Sequence, residues 1–101
     1  MTKLETIKLC AKAIGLKWTE GPVSIFVDWP NIYDPLHNNA QAMMLVKKLR
    51  LDINSFHGSA LLENERWWEV EHNDGEQATI AKNADLNRAI CETVAKLEKS
   101  K

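Results

Sequence analysis

Residues 66–81 read Arg66-Trp67-Trp68-Glu69-Val70-Glu71-His72-Asn73-Asp74-Gly75-Glu76-Gln77-Ala78-Thr79-Ile80-Ala81. In an extended chain, side chains alternate between two faces. Trp68 and Val70 therefore share one side, and Glu65, Trp67, Glu69 and Glu71 share the other. One face is apolar and the other carries carboxylates, as expected of a strand with one side against a core. Asn73-Asp74-Gly75 is a turn signal, because these residues tolerate the positive φ that tight hairpins demand. The spacing predicts a strand over 66–72, a reversal about Gly75, and a returning strand over 76–81. An antiparallel hairpin is thus expected in the second half of the chain.

Upstream, Leu51, Ile53 and Ser55 alternate with Asp52 and Asn54 before the turn residues His57-Gly58-Ser59, which predicts a further strand. The apolar positions of 40–50 (Ala42, Leu45, Val46, Leu49) have helical spacing, and Asn38 or Asn39 is placed to cap that helix. Residues 29–39 hold Pro30, Pro35 and three asparagines and read as a loop, pinned by Trp29, Ile32, Tyr33 and Leu36. Val23 to Val27 is a β-branched run following Gly21-Pro22, and reads as one strand. At the start, Thr2 and Glu5 have capping-box spacing. Leu4, Ile7, Cys10, Ala11 and Ile14 form one helical face, which Gly15 ends. At the far end, Asn83 is placed as an N-cap for a helix whose stripe is Leu86, Ala89, Ile90, Thr93, Val94 and Leu97.

The expectation is an α+β fold in the order α-β-α-β-β-β-α: three helices packed with a small, mainly antiparallel sheet of three to four strands. A helix running straight into a strand, and a hairpin after it, do not suit a doubly wound parallel sheet. With 101 residues, of which 45% are hydrophobic and 27% charged, one domain spanning 1–101 is expected. No apolar run approaches the roughly 18 to 20 residues of a membrane helix. A cytoplasmic protein is the expectation. Cys10 and Cys91 have no partner at metal or redox spacing and read as buried free thiols.

Tyr33-Asp34-Pro35-Leu36, a polar spacer, the helix from Ala42 through Leu49 and the strand after it resemble the core segment of the phage ABA-sandwich domain family. Leu86-Asn87-Arg88-Ala89-Ile90-Cys91 is similar to that family's closing helix. The likeness runs from about Trp29 to Leu97, with the first helix a looser match, and departs at Tyr33, where the family often has tryptophan. It implies a fold and a phage or prophage origin, hence work in the host cytoplasm. It carries no catalytic residues, because these proteins are largely without assigned activity.

Chemistry is sparse in the residues themselves. His37, His57 and His72 share no metal-ligand spacing, so no metal is expected. Ser24, Ser55 and Ser59 lack a nucleophile elbow, and Gly21, Gly58 and Gly75 assemble no phosphate loop, so no cofactor is expected either. Residues 1–50 carry seven Lys/Arg against four Asp/Glu, and 51–101 carry six against ten. Lys47, Lys48 and Arg50 are the densest basic group and read as complements of a helix dipole. Direct nucleic-acid binding is therefore not favoured.

The informative feature is acidic. Glu63, Glu65, Glu69, Glu71, Asp74 and Glu76 face only Arg66 between His57 and Glu76. With Trp67 among them, these residues are the candidate partner-binding set: an acidic ridge with an apolar anchor, suited to a basic groove on a host or phage protein complex. The expectation is a non-enzymatic accessory protein, such as an anti-CRISPR-like inhibitor of a host defence or nucleic-acid-processing complex. The alternative is a small enzyme whose site is assembled from residues that spacing does not connect. Met43, Met44 and Leu9 lie off their helical stripes, and a short sheet leaves an open edge, so monomer and homodimer both stay open.

Overall fold

The computed structural model describes residues 2–27, 31–57 and 66–101 of the chain. The expected loop anchor Trp29, the turn at Gly58 and the candidate residues Glu63 and Glu65 lie outside the described residues.

The first helix, α1 (Lys3–Ala13), begins where the Thr2 hydroxyl accepts the Glu5 N–H at 3.1 Å. It ends in a paired closure: Gly15 N–H bonds the Lys12 carbonyl and Leu16 N–H the Ala11 carbonyl, with Gly15 at φ +72. Glycine suits this left-handed position, having no Cβ to crowd the following carbonyl.

One strand over Val23–Val27 is the sequence expectation. The chain instead forms three two-residue strands, β1 (Thr19–Glu20), β2 (Ile25–Phe26) and β3 (Ile32–Tyr33), paired antiparallel in that order. Val23 sits in the turn and is 83% exposed. Gly21 closes that turn with its N–H on the Ser24 carbonyl at 2.8 Å, and a Cβ on Gly21 would come within 2.6 Å of the Phe26 ring. The full element order is therefore α-β-β-β-α-β-β-β-α, within the expected α+β class.

Helix α2 (Asn39–Leu49) is capped by Asn38, whose side chain accepts the Gln41 N–H at 3.0 Å. It ends at Arg50, which occupies the left-handed region at φ 52, and Leu51 leads directly into β4 (Asp52–His57). The larger sheet has the order β4-β5-β6, antiparallel throughout, with β5 (Arg66–Asn73) central and β6 (Ala78–Asn83) returning from the hairpin. The return begins two residues later than the expected Glu76, because residues 74–77 form the turn.

Helix α3 (Leu86–Lys99) packs along β5 and β6 on one side and against α1 and α2 on the other. Its cap is Asp85, whose carboxylate accepts the Arg88 N–H, rather than the expected Asn83. Asn83 is the last residue of β6, and its side chain accepts the Asp85 N–H at 2.9 Å. Cys91 and Ala95, off the expected stripe, are as buried as Ile90 and Val94. A helix with neighbours on two sides needs more than one apolar face, and small residues there admit close backbones. Ile25 and Tyr33 of the small sheet join Ile7, Cys10, Leu45, Val70 and Ile90 in one hydrophobic cluster.

Candidate functional site

Cross-strand register assembles the acidic feature. On β5, Val70 is fully buried and Trp68 packs against the core, so Trp67, Glu69 and Glu71 point to the face that α3 does not cover. Glu69 stands between Asn54 on β4 and Lys82 on β6, while Glu71 stands between Asp52 and Ile80. The outer face thus collects Asp52, Asn54, Trp67, Glu69, Glu71, Ile80 and Lys82 from three strands.

The carboxylates on this face differ. Glu69 Oε1 lies 3.0 Å from Lys82 Nζ, so its charge is locally balanced. Glu71 has no ion pair among the described residues and directly opposes Asp52, a like charge. Ile80 is 41% exposed beside them, and Trp67 is half-buried and engaged with its surroundings. Counting Asp52, Glu69 and Glu71 against Lys82, the face keeps a net negative charge.

Asp74 and Glu76 sit apart, at the hairpin tip. Asp74 Oδ1 accepts the N–H groups of Gln77 at 2.8 Å and Glu76 at 3.0 Å, which hold its carboxyl below the usual range. Asn73 supports the same turn by accepting the Gly75 N–H at 2.8 Å. The candidate set therefore splits: Trp67, Glu69 and Glu71 on the sheet face, Asp74 and Glu76 at the tip, Glu63 and Glu65 outside the described residues.

Sequence reasoning missed Asp52, Asn54, Ile80 and Lys82. The alternation of 51–55 already marks Asp52 and Asn54 as facing out. What it could not supply is the register that sets them beside Glu71 and Glu69.

Other groups of chemical interest lie elsewhere. Cys10 and Cys91 are fully buried, with Cys10 Sγ 3.7 Å from the Cys91 carbonyl oxygen. A hydrogen bond in which the Cys91 S–H donates to the Cys10 sulfur, together with burial, pushes the Cys91 thiol up and keeps it protonated. His37 Nδ1 meets Asp34 Oδ2 at 2.8 Å. No group of three or more potential metal-binding side chains occurs among the described residues. A groove of about 250 Å³ between α1 and α3 gathers Lys3, Arg88 and Lys96. Two of these cations already have partners: Arg88 pairs with Glu92 at 3.2 Å, and Lys96 donates to the Ile80 carbonyl at 3.0 Å. An apolar hollow of about 360 Å³ lies between α2 and the end of α1, lined by Leu16, Val27, Tyr33 and Met44. Burial of Tyr33 beside it raises that phenol well above its ordinary range.

No family model matches the chain, and no curated protein matches it. The fold is shared with a phage protein. That crystal structure, of a phage protein from Bacillus cereus, superposes with a TM-score of 0.59 over 94% of this chain and 90% of that one. Sequence identity is 17%, so the likeness is one of fold. No helix among the described residues is long and apolar enough to cross a membrane.

Proposed function

We propose that the chain is an accessory protein of phage or prophage origin, of the ABA-sandwich type, working in the host cytoplasm by protein–protein contact. The outer face of β4-β5-β6, continued by the hairpin tip, docks on a basic surface of a host complex, and a defence or nucleic-acid-processing complex is the partner class. Glu63, Glu65, Glu69, Glu71, Asp74 and Glu76 supply the negative field, with Trp67 and Ile80 as the apolar contacts. One observation carries this reading: α3 packs on one face of the sheet, and among the described residues no helix packs on the other, which carries a net negative charge. The shared fold with a phage protein supports the provenance. A basic partner surface is recognised by long-range attraction, so association is salt-sensitive.

The test is Glu71→Lys, combined in a second variant with Glu76→Lys. Glu71→Lys turns the like-charge pair with Asp52 into an attractive one, so the fold should keep its melting temperature. Glu69 is left alone, because reversing it would set two lysines opposite each other. The immobilised wild type should retain a host protein at low salt, and both variants should release it. Equal retention by all three proteins would sink the reading.

A further inference from the structure

The two edges of the larger sheet are treated differently. On β6, α3 makes two side-chain bonds: Lys96 Nζ to the Ile80 carbonyl at 3.0 Å, and Glu92 accepting from Asn83 Nδ2 at 3.3 Å. On β4, every second residue directs its N–H and C=O away from β5. Among the described residues, nothing but β5 pairs with that strand. Its residues, Asp52-Ile53-Asn54-Ser55-Phe56-His57, include no lysine and no proline, the usual means of blunting an edge.

We propose that β4 pairs with β4 of a second copy, antiparallel about a twofold axis centred on Asn54, joining two three-stranded sheets into one of six. Three features favour a second copy over a foreign strand. First, a twofold pairing of even-numbered with even-numbered positions keeps the core-facing side chains of both copies on one side. Second, centring on Asn54 sets Asp52 opposite Phe56 of the other copy, well away from its own duplicate, so the strand's one carboxylate meets no like charge. Third, Asn54 faces itself there, and a carboxamide has both donor and acceptor and is therefore self-complementary. Asn54 itself is exposed and so available for the contact. A short ladder buries less than the roughly 1,200 Å² of a standard interface, so the dimer is weak, with a dissociation constant on the order of 10⁻⁴ M.

Sedimentation of the whole chain from micromolar to millimolar concentration tests this. The average mass should rise towards twice the 11.5 kDa of the chain. Asn54→Lys places lysine opposite Glu69 within its own sheet, so the monomer stays folded, but sets lysine against lysine across the twofold. Association should weaken about tenfold or more. Mixing Asn54→Lys with Asn54→Asp should restore it. In the wild type, β4 amides should gain hydrogen-exchange protection as concentration rises, a readout that needs no variant. A monomer at every concentration, an unaltered dimer in Asn54→Lys, or β4 amides indifferent to concentration would each overturn the proposal.

Discussion

Thr93 shows how one hydroxyl joins two elements. It is fully buried on α3, with Oγ1 2.8 Å from the Val70 carbonyl oxygen of β5 and 2.9 Å from the Ala89 carbonyl oxygen one turn back. One proton is shared between two acceptors, so the side chain is polar yet compatible with an apolar surround. Thr93→Val keeps the shape and removes the donor. It should lower stability by about 1 kcal/mol, read from the urea midpoint at unchanged slope. At this scale the sequence is a partial guide. Thr93 is legible as an inward position but not as a tie to the sheet, because its acceptor is 23 residues away in the chain. Asn83 and Asp85 are both plausible caps by type, and only the last bond of β6 decides between them.

Elements with many periodic positions were legible; short ones were not. The stripes of α1, α2 and α3 and the alternation of β5 predict real elements, since ten or so residues repeat the signal. A two-residue strand has no period, so only β2 is covered by the strand expected at Val23–Val27, while β1 goes unread and β3 lies within the expected loop 29–39. The hairpin is legible at Gly75, yet β6 starts late because the Asp74 carboxylate gathers two backbone N–H groups and lengthens the turn. Arg50 departs from the usual chemistry at the end of α2, a left-handed position held by a residue with a Cβ. Arg50→Gly should therefore stabilise the protein by about 0.5 kcal/mol, the relief of the left-handed strain exceeding glycine's added chain entropy, and raise the melting temperature. A fall in melting temperature would show that the Arg50 side chain makes a larger contribution than its backbone cost.

Across the whole molecule, α3 is the shared wall between the larger sheet and the other two helices. The sequence shows its regular stripe but not its second buried side, because Cys91 and Ala95 are too small to register as a hydrophobic face. The two thiols report on this centre. Cys10 and Cys91 lie on different helices, both fully buried, and the Cys91 thiol is held protonated. A thiol-specific reagent should therefore label both at one rate, and that rate should rise with urea in step with global unfolding. Faster labelling of Cys10 alone would mean that α1 opens independently. The candidate site is legible in composition, as a run of carboxylates around Trp67. Its geometry is not, since partner strands determine that Glu69 is neutralised and Glu71 is not.

The bond from Lys96 to the Ile80 carbonyl has a consequence for assembly in crowded surroundings. A sheet open at both sides can add chains without limit and grow into a filament. Because Lys96 already occupies the Ile80 carbonyl, a strand arriving at β6 would have to displace that bond before pairing there, which disfavours growth beyond a pair.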